Sequence, residues 1–297
     1  MIHNWDTKLV GAAASWGWLG RLLHNQRGVT DQAALDEAEE RSAPTGEVVY
    51  RAIFSEGESE LQRPSQALAW SGLAAGLSMS FSFITPALIH AHLPDSQWRP
   101  LLVALGYPVG FLIVILGRQQ LFTENTLTVI LPLLQHRNRA TFINVVRLWC
   151  VVFAANLAGS LVMAFVLART QIVDEEAFRS MVELARHAQT SGFAATLLRG
   201  IFAGWLIALT VWLLPFAEAA RVWVIGVITY VIALAQFSHV IAGAVETAFL
   251  VLVGGSSWSE FAMGFLLPAL TGNVIGGVLL VAALNHAQVV AGSGVDL

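Results

Sequence analysis

An apolar run from Val222 to Val253 carries Gln236, Ser238, His239 and Glu246 near its middle, and a second run, Leu101 to Leu134, is broken by the polar stretch Arg118 to Asn125. Polar and ionisable groups at membrane depth are costly unless they face a cavity or a partner. Interruptions at matching positions of a chain's two halves therefore point to a solute site built from broken helices. Composition agrees: 56% of the 297 residues are hydrophobic and 12% are charged, with a mean hydropathy of +0.66. Soluble domains have about 45–50% apolar and about 25% charged residues. A soluble core cannot hide this much apolar surface, and the pattern is that of a membrane transporter or channel.

A crossing needs about 20 apolar residues. The pattern predicts six, at 69–91, 100–134 (broken), 142–168, 194–215, 222–253 (broken) and 263–285. The chain then divides into a cytoplasmic N-terminal segment with amphipathic helices, 1–68, a channel domain, 69–285, and a cytoplasmic tail, 286–297. Within the first segment, Trp5 to Leu23 fits a helix lying in the membrane interface, and Gly46 to Leu61 fits a short amphipathic helix with Val49, Ile53 and Phe54 on one face. Basic residues before the first span, with Arg137, Arg139, Arg147 and Arg221, mark the cytoplasmic side and place both termini in the cytoplasm, for a protein of a bacterial-type inner membrane. The loop Arg169 to Arg186 is then external, although it carries three arginines. Cys150 is the only cysteine, so no intrachain disulfide forms, and Gly11 to Leu19 lacks the features of a cleavable signal. A net charge of −4 gives no reason to expect a nucleic-acid partner.

An internal repeat is visible once the spans are drawn. Asn156-Leu-Ala-Gly159-Ser160-Leu161 resembles Asn273-Val-Ile-Gly276-Gly277-Val278, and each follows a break at nearly the same distance, Thr123 to Asn156 being 33 positions and His239 to Asn273 being 34. Three spans followed by three spans turn the second copy upside down, so an inverted 3+3 repeat is expected. Small residues such as Ser71, Gly72, Gly76 and Ser78 predict helices in close contact.

Four motifs together resemble the formate/nitrite transporter family in order and spacing over about residues 65 to 285. They are Leu121-Phe122-Thr123 after the first break, Phe237-Ser238-His239 in the second, Gly200 to Trp212 in the fourth span, and Gly272-Asn273-Val-Ile-Gly276-Gly277 in the sixth. The preface from Glu47 to Pro64 and the stretch Trp70 to Gly76 are most similar to the YfdC-type branch of that family. The resemblance implies an all-α, aquaporin-like fold of six transmembrane helices, a homopentamer in the lipid bilayer, and one pore per protomer for a small monovalent solute. It further implies that His239 and Thr123 meet at the pore centre. Phe111, Leu121 and Ile207 would form a cytoplasmic constriction, and Tyr107, Phe122 and Ile232 an outer one.

An anion in a dry apolar slit forfeits its hydration. A weak acid escapes that cost if it is protonated on the way, and an imidazole, with an unperturbed pKa near 6.5, is suited to handling the proton. The reading is thus a channel for a weak-acid anion of the formate or nitrite kind, moved with proton participation of His239. Some residues depart from the family pattern. The lysine of the formate channels' vestibule has no counterpart near His187 to Ser191, and Gln120 and Ser238 stand where the family has acids. Glu124 and Glu246 appear instead; Glu246 lies seven residues after His239 and shares its helix face. These carboxylates either face the lumen or pair with Arg147 or Arg199, with Arg118 a further charge near the first break. The alternatives are the same fold conducting a neutral or cationic solute, or a membrane scaffold or receptor without transport. The sequence holds no metal-ligand spacing, phosphate-binding loop or nucleophile elbow, so neither an enzyme nor a cofactor is expected.

Overall fold

The computed structural model describes residues 44–189 and 192–293. The interfacial helix expected at Trp5 to Leu23, Thr190 and Ser191 of the vestibule segment, and the end of the tail, 294–297, lie outside the described residues. All regular structure among the described residues is helical.

Helix α1, Gly46–Gln62, buries Tyr50, Ile53, Gly57 and Leu61, which recur at three- and four-residue spacing along one face. It stops before Pro64, whose ring disfavours helical geometry in the preceding residue. Pro64 is extended and opens α2, Ser65–Met79, which runs through the buried Ser80 into α3, Phe81–His92. The first apolar span thus begins at Ser65, four residues earlier than the sequence pattern suggests. Next come α4, Arg99–Ala104, and α5, Pro108–Leu116, followed after a break by α6, Asn125–Thr128, and α7, Ile130–His136. Helix α8, Arg139–Arg169, is capped by Asn138, whose side chain accepts the Thr141 amide at 2.8 Å.

The loop expected between Arg169 and Arg186 is largely a helix, α9, Glu175–Gln189. Its Asp174 accepts the Ala177 amide, Ala177 is buried, and Met181 and Ala185 pack in the cluster that holds Phe83 and Phe249. The charges read as a solvated loop are the outer face of this amphipathic helix. Helix α10, Gly192–Leu213, leads through two short 3₁₀ turns to α11, Arg221–Leu234. After the second break comes α12, Val240–Leu252, and the last apolar run alternates π-helical and α-helical geometry from Glu260, with α13 at Leu267–Gly277 and α14 at Leu284–Ser293.

Among the described residues, five stretches are long and apolar enough to cross a membrane: Ser65–His92, Arg99–Leu116, Arg139–Arg169, Gly192–Phe216 and Glu260–Gly292. Val240–Leu252 is a shorter apolar helix. Large apolar side chains such as Trp70, Phe165 and Trp223 are exposed on the outer surface, as expected where lipid or another protomer replaces water.

Two helix pairs touch backbone to backbone. A Cβ on Gly76 of α2 would stand 2.1 Å from the Asn156 carbonyl oxygen of α8, and a Cβ on Gly204 of α10 would stand 2.2 Å from the Asn273 carbonyl oxygen of α13. Only a hydrogen fits at either crossing. Gly76→Ala and Gly204→Ala are therefore expected to destabilise the protein by about 1–3 kcal/mol each, read as a fall in Tm in detergent. Gly226→Ala, which meets nothing within 4 Å, leaves Tm unchanged.

Candidate functional site

Each of the two breaks turns on a left-handed residue that is not glycine, Arg118 (φ 49°) in the first and Gln236 (φ 53°) in the second. Such a conformation costs roughly 1–2 kcal/mol, so surrounding bonds must hold it. Two buried asparagines do so. Asn156 of α8 donates through Nδ2 to the Gln120 and Gly72 carbonyls, both within 2.8 Å, and its Oδ1 accepts the Phe122 amide at 2.8 Å. Asn273 of α13 donates to the Ser238 and Gly200 carbonyls at 2.8 Å and accepts the Val240 amide at 2.9 Å. The two sets match step for step: two residues after the left-handed turn a carbonyl is bound, and two residues later an amide. In this register Leu121, not Thr123, corresponds to His239.

The breaks meet at a buried centre. Thr123 Oγ1 lies 2.8 Å from His239 Nε2, with Thr123 fully buried and His239 nearly so. His239 also caps α12, its Nδ1 accepting the Ala242 amide at 3.2 Å. An accepting Nδ1 carries no hydrogen, so the proton sits on Nε2 and is donated to Thr123. The threonine hydroxyl hydrogen is then left for another acceptor. The edge of the Phe111 ring packs against the imidazole at 4.9 Å between centroids, and Tyr107 stands 5.3 Å from Phe111. Phe111, Leu121 and Ile207 are fully buried in the same apolar cluster. Phe122 lies elsewhere. Its ring packs edge-on against Trp149 and Phe153 of α8, at 5.7 and 5.1 Å.

A cavity lies on each side. The one beneath α1 has a volume of about 770 Å³ and is lined by Glu56, Glu60, Arg63, Arg118, Glu124 and Arg221, among others. Glu60 is paired with Arg63 at 3.0 Å and Glu56 with Arg118 at 3.8 Å. Burial lifts the Glu60 carboxyl above its ordinary range even with Arg63 beside it. Glu124 Oε1 is buried with no hydrogen-bond partner. The other cavity, beside α9, has a volume of about 400 Å³, and Tyr107, Ile232, His239 and Glu246 line it. Its wall includes Phe265, whose ring covers Gly243; a Cβ there would stand 2.1 Å from the ring's Cζ.

The arginine pairing expected for these carboxylates does not form among the described residues. Arg147 instead binds the end of α1, donating to the Leu61 and Arg63 carbonyls at 2.8 and 3.0 Å and to Ser65. That is where a cation best satisfies a helix's last carbonyls. Arg199 lines the α9-side cavity together with Glu246 but forms no salt bridge with it. Sequence reading also passed over Arg99, Arg221 and Phe265 as cavity groups. In the sequence Arg221 is only a topology marker, and a phenylalanine in an apolar run carries no signal of its own.

A profile described as Formate/nitrite transporter matches residues 47–287. The chain belongs to the formate/nitrite transporter family. Both breaks and both cavities of this formate/nitrite transporter fall inside the matched segment, which identifies it as a membrane transporter or channel. It is 38% identical over 251 residues to the inner membrane protein YfdC of Escherichia coli strain K12, covering 84% of this chain and 81% of that one. Two solved structures share its fold. An FNT family ion channel aligns with a TM-score of 0.71 at 17% identity, covering 81% of this chain and 98% of that one. A pentameric formate channel with formate bound aligns with a TM-score of 0.64 at 20% identity, covering 76% and 98%.

Removing either asparagine clamp strands buried backbone groups, each worth about 1–3 kcal/mol. Asn156→Ala and Asn273→Ala are expected to lower Tm sharply and to abolish any solute flux. Thr271→Ala, at a half-buried helix position on α13 whose hydroxyl bonds only within its own helix, leaves both unchanged.

Proposed function

We propose that this protein is a channel or transporter for a small monovalent weak acid of the formate or nitrite class, moved with the participation of the His239 proton. The observation that carries this reading is the Thr123–His239 contact of 2.8 Å at a buried centre between two open cavities. Phe111, Leu121 and Ile207 close the path on the α1 side, and Tyr107 and Ile232 narrow it on the other. Phe122 supports its break from behind. An ion here loses hydration worth many kcal/mol, whereas a neutral acid needs only one hydrogen-bond acceptor and one donor. The Thr123 hydroxyl, polarised by the His239 Nε2 hydrogen, is such a donor. The N-terminus of α12, which His239 caps, adds a partial positive charge where an anion would otherwise be least stable.

The assembly belongs to the same proposal. The chain crosses an inner membrane six times as two inverted copies of three spans, with both termini cytoplasmic, and forms a homopentamer with a pore in each protomer. The paired asparagine clamps and paired left-handed turns support the repeat. Arg137, Arg139 and Arg147 on the α1 side support the orientation, since cytoplasmic loops collect arginine. The pentameric formate channel with the same fold supports the oligomer, and the inner-membrane name of the YfdC relative supports the compartment. No enzymatic step is part of this reading.

Glu124 and Glu246 favour a second reading, in which the same pore passes a neutral or cationic solute. Purified protein in liposomes separates the two. Formate and nitrite uptake is expected to be faster at acidic than at neutral pH, and His239→Asn is expected to lower it at least about tenfold while native mass spectrometry still shows the pentamer. Flux of ammonium without flux of either acid would establish the second reading. Absence of any flux would point to a membrane scaffold or receptor.

A further inference from the structure

The pore centre has a hydrogen to share and none to give away. His239 Nδ1 is committed to the Ala242 amide, so the ring cannot hold a second proton without breaking the cap of α12. A neutral imidazole can release its Nε2 proton only after gaining another. Some other group must therefore supply the proton that turns an arriving anion into a neutral acid.

Each cavity holds one group suited to this. In the α1-side cavity, Glu56 and Glu60 face arginines, Arg118 at 3.8 Å and Arg63 at 3.0 Å, and are neutralised in place. Two charges of that cavity remain outside any salt bridge among the described residues, Glu124, whose Oε1 is buried and unpartnered, and Arg221, whose Nε is likewise. Glu124 follows Thr123 directly in the chain. In the α9-side cavity, Glu246 shares the wall with Tyr107 and His239. Asp95 and Arg99 face it from the α4 side, paired to each other at 3.8 Å. His90 of α3, Glu183 and His187 of α9, and Arg199 of α10 complete the charged surroundings, and His90 is engaged by Ser180 and Arg99 at 2.9 and 2.8 Å. Among the described residues neither Glu124 nor Glu246 is held in a salt bridge, so the proton of each is free to leave with a solute.

Resting on the weak-acid reading above, we propose that Glu124 and Glu246 are the proton donor and acceptor of this pore, one at each mouth, and that the solute passes the Thr123–His239 contact as the neutral acid. Inward from the α1 side, the Glu124 O–H bond breaks as an oxygen of the anion takes the proton. The neutral acid crosses the buried centre and hands that proton to the Glu246 carboxylate, leaving as the anion. Water on the first side reprotonates Glu124, and Glu246 releases its proton to water on the other, so one proton travels with each anion. Running the steps backward gives the opposite direction. Arg221, outside any salt bridge among the described residues, supplies a positive field that draws the anion in on the α1 side. In this way a pore without a vestibule lysine still attracts an anion.

The test uses the full-length protein in liposomes, with formate as the probe and uptake followed across a pH series. Glu124→Gln and Glu246→Gln are expected to lower formate flux at least about tenfold and to flatten its pH response. Glu124→Asp and Glu246→Asp should keep the pH response at reduced rate. Tm and native mass confirm that each variant is folded, and if a Gln variant does not assemble, the Asp variant decides. A folded Asp variant that conducts formate without the parent's pH response would sink the proposal. So would Gln variants that conduct formate as fast as the parent, or faster, with an unchanged pH profile, because the carboxylates would then only repel anions. Loss of ammonium flux in the Gln variants with formate flux intact would make them a cation site instead. If the parent protein passes no weak acid, the underlying reading has failed before any variant is compared.

Discussion

Breaking a helix at membrane depth exposes amides and carbonyls that lipid cannot satisfy, and the rest of this structure depends on how that debt of hydrogen bonds is met. Asn156 and Asn273 meet it with one side chain each. Every carboxamide makes three bonds, two from Nδ2 and one to Oδ1. Two of these hold a break on both sides of its central residue, and the third ties the break to a neighbouring span at Gly72 or Gly200. The glycines at Gly76 and Gly204 let the helices come near enough for a short side chain to reach.

The clamps also explain why the centre is buried and largely apolar. With the breaks fixed from behind, their free faces are turned toward each other and bring the polar side chains of Thr123 and His239 together. Phe111 covers the imidazole edge-on while Leu121 and Ile207 close the α1 side. Each ring nitrogen has a defined partner, the Ala242 amide on one and the Thr123 hydroxyl on the other. That leaves one directed donor, the threonine hydroxyl, in an otherwise apolar wall, an arrangement suited to passing a small polar molecule one at a time.

Charge is kept away from this centre and gathered in the two cavities, where acids and arginines are interleaved. Most are matched in pairs, such as Glu60 with Arg63 and Glu56 with Arg118. Arg147 stands apart from the cavities and secures α1 over the first break, where Gly57 also lies against the Thr128 carbonyl. Helix α1 is therefore part of the α1-side cavity wall as well as a segment preceding the first span. Tyr50 ties it in addition to His286 near the chain's end, through a contact of 2.9 Å.

Much of this was legible in the chain alone. An apolar content of this size requires lipid or helix partners for its surface, and polar residues inside apolar runs located both breaks, because a local pattern of hydropathy reports local exposure directly. The same patterns and motif order led to the formate/nitrite transporter family. Other features needed the tertiary structure, since they depend on which distant groups come within bonding range. Asn156 and Asn273 read as a repeat but act as clamps, and their bonds pair His239 with Leu121, two residues away from the pairing that sequence spacing suggests. Phe122 turns to Trp149 and Phe153, whereas Phe265 comes to the α9-side cavity from another span. The segment after Arg169 is a helix because Met181 and its neighbours find Phe83 and Phe249 to pack on. Arg147 belongs to α1 and not to a carboxylate, because the unpaired carbonyls at the end of a helix compete for a guanidinium, and no pattern within one span reveals that competition.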